Sequence, residues 1–288
     1  MSTSRKQAIK ILRPDSTTAG ERAIAVEVPV AIEIDGLGYA VMMMTPADLA
    51  EFTTGFLLTE RLADSADDVR DIDIFEAEAG WIVRAGLSAR CKGRIHDRVR
   101  HRTSDTSCGL CGISGLEQLR KPVPKTPPRP DTPVDALFAA LGGLRAHQPL
   151  NAATGAIHAA AACDREGRIV AAYEDVGRHN ALDKLVGGIA ITGQPIDGFI
   201  LVTSRISFEM VDKALIAGAP MLVGISAPTS LAIDHAREHG LTLLALARSD
   251  AILVVNGPWK IFDQPQTVRL VEVPHLMACT TSVLAAAR

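Results

Sequence analysis

The 288-residue sequence lacks both a strong net charge and a long apolar run. Its 30 Lys and Arg residues nearly balance 33 Asp and Glu residues, so no global field recruits nucleic acid or an anionic membrane surface. The longest small-apolar stretch, residues 152–163, is interrupted by Thr154, Gly155 and His158, which argues against a membrane-spanning helix. The N-terminus has no apolar segment typical of a secretory signal. We therefore expect a cytoplasmic protein with neither nucleic acid nor membrane as a partner.

Cysteine is also scarce, and its count is odd: Cys91, Cys108, Cys111, Cys163 and Cys279. An odd number of cysteines in a reducing compartment makes a disulfide framework a poor interpretation. The isolated Cys91, Cys163 and Cys279 are expected to be small buried apolar residues. A hydrophobic fraction of 47% with 22% charged residues indicates a folded protein with a substantial core.

The first part of the chain predicts a small α+β domain over residues 1–120. Alternating β-branched residues over 21–45, with a turn at Asp35-Gly36, predict a β-hairpin. Thr45-Pro46 then provides a hydroxyl N-cap and a first-turn proline for a helix that ends near Leu62. Strand-like segments follow at residues 69–75 and 80–85.

Six prolines among residues 121–133 predict a stiff extended linker, which we take as the domain boundary. Beyond it, residues 134–288 are expected to form an α/β domain that binds a cofactor. The predicted strands are 168–174, 198–203, 221–226 and 241–247, and the predicted helices are 180–191, with Asn180 as N-cap, 207–217 and 229–239. Alternating strands and helices with apolar strands predict a mainly parallel sheet covered by helices.

The carboxyl ends of parallel strands open on one edge of a sheet, where ligands of α/β proteins bind. Arg178, His179, Arg205 and Arg248 all follow predicted strands, together with several hydroxyl residues. Arginines and helix N-termini are the groups that hold phosphates. Alternatively, the hydroxyl residues only cap helices and the arginines are solvated.

Cys108-Gly-Leu-Cys111 lies in a Gly- and Ser-rich segment that is expected to be a mobile loop. Such a pair is half of a zinc site, a thiol redox pair, or a nucleophilic cysteine with a neighbour. Five Lys and Arg residues over 92–102 favour the thiolate, the nucleophilic form, and attract an anionic substrate, although such a run can also be a solvated face.

A zinc deaminase also combines an α/β sheet, a histidine and a Cys-x-x-Cys pair. Here Ala160 stands where the catalytic Glu would follow His158, and the cysteine pair precedes that histidine. Deamination is therefore rejected. His158 either lines the cleft or is a buried structural histidine.

Several segments together resemble one family, the formate dehydrogenase accessory sulfurtransferases (FdhD). The resemblance covers about residues 21–250 and rests on these segments: Ser107-Cys-Gly-Leu-Cys-Gly112, Thr154-Gly-Ala-Ile-His158, Glu174-Asp-Val-Gly-Arg-His-Asn-Ala-Leu-Asp-Lys184, Ser204-Arg-Ile-Ser-Phe-Glu-Met210 and Ser226-Ala-Pro-Thr-Ser-Leu-Ala232.

The resemblance implies a sulfurtransferase that takes persulfide sulfur from a cysteine desulfurase. Such a protein passes the sulfur to the molybdenum cofactor in its bis(molybdopterin guanine dinucleotide) form. The sulfurated cofactor is then needed by apo formate dehydrogenase, the client enzyme. The family's larger domain has a cytidine-deaminase-like fold without the zinc, so no permanently bound metal is expected, and the precedent suggests a homodimer. Cys108 matches the family's persulfide-carrying cysteine, and Cys111 would assist the transfer or resolve the persulfide. The stretch expected to contact the cofactor is Leu246, Ala247, Arg248, Ser249, Asp250 and Ala251.

Two other classes stay open from the residues alone. One is a non-catalytic chaperone that binds the molybdenum cofactor, with a structural or zinc-bound cysteine pair. The other is a nucleotide-binding thiol-redox protein.

Overall fold

The computed structural model describes residues 2–99, 123 and 126–263, and its first feature is a long two-stranded ribbon. Strands β1 (Ser4–Arg13) and β2 (Ser16–Ala25) pair antiparallel over their whole length and form a sheet of their own. Most of their residues are exposed, so the two strands lack the alternation of apolar and polar residues that predicts a strand. The predicted strand that starts at residue 21 is thus divided between β2 and the next strand.

A four-stranded sheet follows, made of β3 (Val28–Ile34), β4 (Leu37–Met44), β5 (Val69–Ala77) and β6 (Gly80–Leu87). The strand order is β4-β3-β6-β5, with β3 and β6 parallel and the other neighbours antiparallel. Asp35 and Gly36 form the tight turn between β3 and β4, and both have positive φ. The predicted hairpin is confirmed.

Helix α1 (Leu49–Thr59) begins later than predicted, because Asp48 and not Thr45 is its N-cap residue. The Thr45 hydroxyl instead accepts a hydrogen bond from the backbone N–H of Val176, 131 residues away. A long-range contact of this kind cannot be read from a local capping pattern. Helix α2 (Arg94–Val99) ends the first described range.

The second sheet has six strands: β7 (His158–Cys163), β8 (Ile169–Asp175), β9 (Phe199–Val202), β10 (Met221–Gly224), β11 (Thr242–Ala245) and β12 (Leu253–Asn256). Their order is β12-β11-β10-β9-β7-β8.

The predicted mainly parallel arrangement is wrong, because this sheet is mixed. The pairs β9–β10 and β10–β11 are parallel, whereas β7 runs antiparallel to both its neighbours and β12 runs antiparallel to β11. Short connections after β7 and β11 permit only antiparallel pairing. The sequence did not reveal β7 because four of its six residues are alanine, which is depleted in strands. The α/β class is confirmed, and the cytidine-deaminase-like fold stays a prediction.

Helices lie on both faces of the six-stranded sheet. They are α3 (Val134–Gly143), α4 (Pro149–Thr154), α5 (Arg178–Thr192), α6 (Phe208–Ile216) and α7 (Ser230–Glu238). Alternate residues of β9 enter two apolar clusters, with Phe199 and Leu201 facing α3 and Ile200 and Val202 facing the side of α5 and α6. Predicted helices 180–191, 207–217 and 229–239 are confirmed to within two residues at each end.

The larger apolar cluster is continuous from the four-stranded sheet through α1 to α5 and the six-stranded sheet. The proposed division into 1–120, 121–133 and 134–288 stays a prediction. Among the described residues, no helix combines the length and apolar character needed to cross a membrane.

Helices α1 and α5 cross with their backbones in contact. A Cβ atom on Gly55 would overlap the carbonyl oxygen of Asp183, and one on Gly187 would overlap the carbonyl oxygen of Glu51. Only glycine permits this separation, because any side chain would push the two helices apart.

We predict that Gly187→Ala destabilises the protein by roughly 2 to 3 kcal/mol, since the added methyl group must be accommodated in a fully packed crossing. The matched control is Gly142→Ala in α3, where a Cβ meets open space. That control should gain up to about 1 kcal/mol from helix propensity. Chemical denaturation of both variants checks the difference, and equal effects would contradict it.

Candidate functional site

The loops that follow β8, β9, β10 and β11 meet at one edge of the six-stranded sheet. Ile206, after β9, forms a parallel bridge with Pro228, after β10. The backbone N–H of Leu246, after β11, donates to the carbonyl oxygen of Ser226 at 3.3 Å. Thr203 Oγ1 accepts from the N–H of Ala159 at 2.9 Å and thereby joins the edge to the start of β7, where His158 lies.

A buried ion pair fixes the loop after β8. Lys184 Nζ on α5 lies 2.7 Å from Asp175 Oδ2, and both side chains are fully buried. Asp175 also accepts from the N–H groups of Thr45 and Gly177 and from Asn180 Nδ2. Asn180 is therefore not the N-cap of α5 as predicted; Gly177 is, and the helix begins at Arg178.

Arg178 and His179 thus form the first turn of α5, at the strand-end edge. The pKa of His158, half-buried at the start of β7, is lowered by burial and by the charge of Arg178. A neutral imidazole at this position is able to accept a proton or donate one.

His179 faces Glu209 on α6, with His179 Nε2 at 3.1 Å from Glu209 Oε2. Although the two atoms are close, their alignment is not that of a hydrogen bond, and each is buried without a hydrogen-bond partner. Burial raises the pKa of Glu209 to about 7. Burial and the charges of Lys213 and Arg178 lower the pKa of His179 to about 3.

Two further polar atoms at this edge, Arg178 Nε and Ser207 Oγ, are also buried without a partner. Most buried polar atoms in proteins have partners, so four exceptions on two adjacent helix N-termini make this edge the candidate functional site. The charge of Lys213 acts on both His179 and Glu209. Lys213 Nζ donates to the two carboxylate oxygens of Asp183 at 2.6 Å and 2.7 Å.

The two remaining arginines of the edge differ in whether their N–H donors are already used by the protein. Arg205 is exposed and lies directly after β9. The guanidinium of Arg248 donates to the carbonyl oxygens of Ile225 and Ala247, so part of its donor capacity holds the loop. Arg205 is thus the arginine better placed to bind a ligand.

The segment Leu246–Ala251 connects β11 to β12 at the same edge. Leu246 adopts a positive φ of 50°, and the Arg248 N–H donates to the Ala251 carbonyl oxygen at 2.9 Å, which closes a turn. Ser249, Asp250 and Ala251 are exposed, whereas Ala247 is buried. The structure therefore brings this segment near the loop after β10.

Cys108 and Cys111 lie outside the described residues, as does Cys279. The prediction for the other cysteines is confirmed, because Cys91 and Cys163 are free and buried, and burial raises the pKa of the Cys163 thiol to about 12. Within the basic run, Arg94 is held by Asp64 in a bidentate pair at 2.7 Å and 2.8 Å. That arginine stabilises the local fold.

Glu209 is the residue that the sequence analysis missed. It lies inside the segment Ser204–Met210 that carried the family resemblance, yet a Glu in the first turn of a helix is commonly a dipole-stabilising residue. Its burial against His179 depends on the packing of α6 against α5, which the local pattern does not show.

The fold and the edge define the class of protein: an α/β protein with a mixed sheet whose strand ends gather arginines, histidines and helix N-termini. Residues 25–262 match the model of the FdhD/NarQ family. A relative from Variovorax paradoxus, "Sulfur carrier protein FdhD", is 41% identical over 243 residues, 84% of this chain and 87% of its own. The protein of the same name from Agrobacterium fabrum is 41% identical over 248 residues, 85% of this chain and 92% of its own.

A solved structure has a similar fold. The crystal structure of a protein described as a formate dehydrogenase accessory protein, from Desulfotalea psychrophila, matches with a TM-score of 0.72 at 25% identity, covering 90% of this chain and all of that one. The chain belongs to the FdhD/NarQ family.

The Glu209 environment predicts a specific pH dependence. The folded state keeps a proton on Glu209 that the unfolded state releases between about pH 4.5 and 7, so the contribution of Glu209 to stability falls as pH rises through that range. The lowered pKa of His179 contributes in the opposite direction, so the prediction concerns the difference between the wild type and a Glu209 variant. Glu209→Gln cannot ionise and should escape this loss. From pH 5 to pH 8 it should gain about 2 to 3 kcal/mol relative to the wild type in urea denaturation.

The control is Glu78→Gln, in the exposed turn between β5 and β6. Its stability difference from the wild type should stay constant over the same pH range. A constant difference for Glu209→Gln as well would refute the buried, proton-retaining carboxyl.

Proposed function

We propose that the protein is a sulfurtransferase that carries persulfide sulfur from a cysteine desulfurase to the molybdenum cofactor of formate dehydrogenase. Its family membership and the printed name of its relatives, sulfur carrier protein, support this proposal. The observation that carries it is the strand-end edge, where four buried polar atoms lack hydrogen-bond partners, Arg178 Nε among them, and where Arg205 is exposed. Apo formate dehydrogenase as client, a homodimer and a cytoplasmic location belong to the same proposal.

The loading step uses Cys108 by resemblance to the family. Its thiolate attacks the outer sulfur of the persulfide on the desulfurase. A new S–S bond forms on Cys108 while the desulfurase cysteine leaves as a thiolate, so the proton and electron count is unchanged. Cys111 is assigned to assist release or to resolve the persulfide as a disulfide.

The acceptor proposed is bis(molybdopterin guanine dinucleotide), a large anion with several phosphates, and it is the substrate of the second transfer. The donors at the edge suit such an anion. Neither Gly177 nor Ser207 provides a side-chain cap to α5 or α6, so the first N–H groups of both helices are free of side-chain caps. Thr229, in contrast, caps α7 through a bond to the Ala232 N–H at 3.3 Å.

His179 and Glu209 are proposed to handle the proton of the persulfide during the second transfer. At neutral pH, the pKa of about 7 for Glu209 keeps both its protonated and ionised forms populated. His179 stays neutral beside it at this pH, because its pKa is held at about 3, so Glu209 is the group of the pair that takes up or releases the proton. His158 and the segment Leu246–Ala251 are assigned to contact the cofactor.

Sulfur loading is the first test. After incubation with a cysteine desulfurase and cysteine, intact-mass analysis under non-reducing conditions should show one added sulfur atom, removed by reductant, and peptide mapping should place it on Cys108. Cys108→Ser should abolish the addition, and the buried Cys163→Ser control should retain it. Loading in Cys108→Ser but not Cys111→Ser would exchange the two roles.

The absence of any loading would overturn the sulfur-carrier proposal. If cells producing the double variant at Cys108 and Cys111 still activated formate dehydrogenase, the function would instead be that of a cofactor-binding chaperone.

Nucleotide binding is a separate test of the edge. GDP, which contains the guanine nucleotide part of the cofactor, should bind the wild type, and Arg205→Ala should weaken binding about tenfold or more because a charge-assisted phosphate contact is lost. Arg165→Ala is the control, because Arg165 is exposed and lies in the turn after β7, at the opposite end of the sheet. Equal affinity of the two variants, measured by calorimetry, would remove Arg205 from the phosphate site.

A further inference from the structure

The last turn of α7 gathers three side chains that can bind a metal ion. His235, Glu238 and His239 are spaced i, i+3 and i+4, which places them on one face of the helix. One ligand atom of each lies within 4.8 Å of the ligand atoms of the other two. No part of this group belongs to the strand-end edge.

His235 is held in the orientation that metal-binding histidines adopt. Its Nε2 lies 3.2 Å from Asp212 Oδ1 on α6, and Asp212 is fixed in turn by Arg61 at 2.8 Å. The ring also packs on Phe208, with centroids 4.2 Å apart. A carboxylate on one ring nitrogen sets the tautomer and leaves the other nitrogen, Nδ1, to bind a metal.

The other two ligands have free donor atoms as well. His239 Nδ1 lies 3.1 Å from the His235 carbonyl oxygen, so its Nε2 is available. Glu238 is exposed, and among the described residues it makes no ion pair. The adjacent Arg237 is bound to Asp234 at 2.9 Å and so does not compete for the Glu238 carboxylate.

A second group of possible ligands, Asp64, Asp68 and Cys91, provides a contrast. Both of its carboxylates are already engaged by arginines, Asp64 by Arg94 and Asp68 by Arg90. A metal ion there would have to displace two ion pairs, one of them with a buried carboxylate. The α7 group requires no such exchange.

We infer that His235, Glu238 and His239 form a binding site for a divalent transition-metal ion of the Zn²⁺ class. Two imidazoles and one carboxylate are ligands that zinc prefers, whereas Ca²⁺ and Mg²⁺ prefer all-oxygen sites. Water completes the coordination on the exposed side of Glu238. This departs from the expectation that no metal binds permanently, and it does not depend on the sulfur-carrier function.

The bound ion would fasten the end of α7 to α6 through the Asp212–His235 contact. Thr229, the N-cap of α7, lies in the strand-end loop after β10, so the ion stabilises a helix whose other end belongs to the edge. A ligand that binds only the folded state stabilises it. Metal binding is thus expected to raise the thermal unfolding temperature.

The test must separate this site from the thiols of Cys108 and Cys111. Co²⁺ is the probe, titrated into the full chain and into the Cys108→Ser, Cys111→Ser double variant. The visible absorption of Co²⁺ held by nitrogen and oxygen ligands should appear in both proteins, without a thiolate charge-transfer band in the double variant. Calorimetry with Zn²⁺ in the double variant should give one ion per chain.

Ligand removal completes the test. In the double-variant background, His239→Ala and Glu238→Gln should each weaken Zn²⁺ binding at least tenfold and abolish the metal-dependent rise in unfolding temperature. His147→Ala, which removes an exposed histidine elsewhere, is the matched control. Undetectable binding in the double variant, or unchanged affinity in both ligand variants, would overturn the site. Because both substituted residues lie at the helix end, circular dichroism of the metal-free variants should match the parent.

Discussion

The buried ion pair between Lys184 and Asp175 is the interaction on which the rest of the structure depends. Removing two charges from water is costly, and the attraction between them compensates only when the remaining donors and acceptors are also satisfied. Here they are, because Lys184 also donates to the carbonyl oxygens of Thr45 and Glu174, while Asp175 accepts three further hydrogen bonds. These partners come from the end of β4, the end of β8 and helix α5, so one ion pair determines where three elements meet.

The ion pair also explains how one sequence segment has two roles. Within residues 174–184, Asp175 and Lys184 are buried and hold the frame, and Asp183 holds Lys213. Glu174 accepts from the first N–H groups of α4 at 2.8 Å. Of the ionisable side chains of this segment, Arg178 and His179 are left at the edge. The residues that hold the fold thus position the residues that are proposed to contact the cofactor.

Particular residues show how much of the structure could be predicted from the sequence. The hairpin at Asp35-Gly36 and helices α5, α6 and α7 were predictable, because they depend on local turn chemistry and hydrophobic periodicity. The mixed order of the six-stranded sheet was not, since β7 is an alanine-rich strand. Thr45 and Asn180 were assigned as helix caps, yet both bond to residues distant in sequence or to the buried carboxylate of Asp175. At the edge, arginines were visible as residue types, whereas the buried Glu209 depended on helix packing.

The backbone contact between α1 and α5 has a mechanical consequence. Side chains at most helix crossings can change rotamer and absorb small displacements, but Gly55 and Gly187 provide none. A displacement of α1 therefore cannot be absorbed at this crossing by a change of side-chain rotamer. Helix α5 spans 15 residues and begins with Arg178 and His179, so any displacement of α5 also changes the strand-end edge. The crossing thus ties the position of Arg178 and His179, which are proposed to contact the cofactor, to the half of the chain that carries α1.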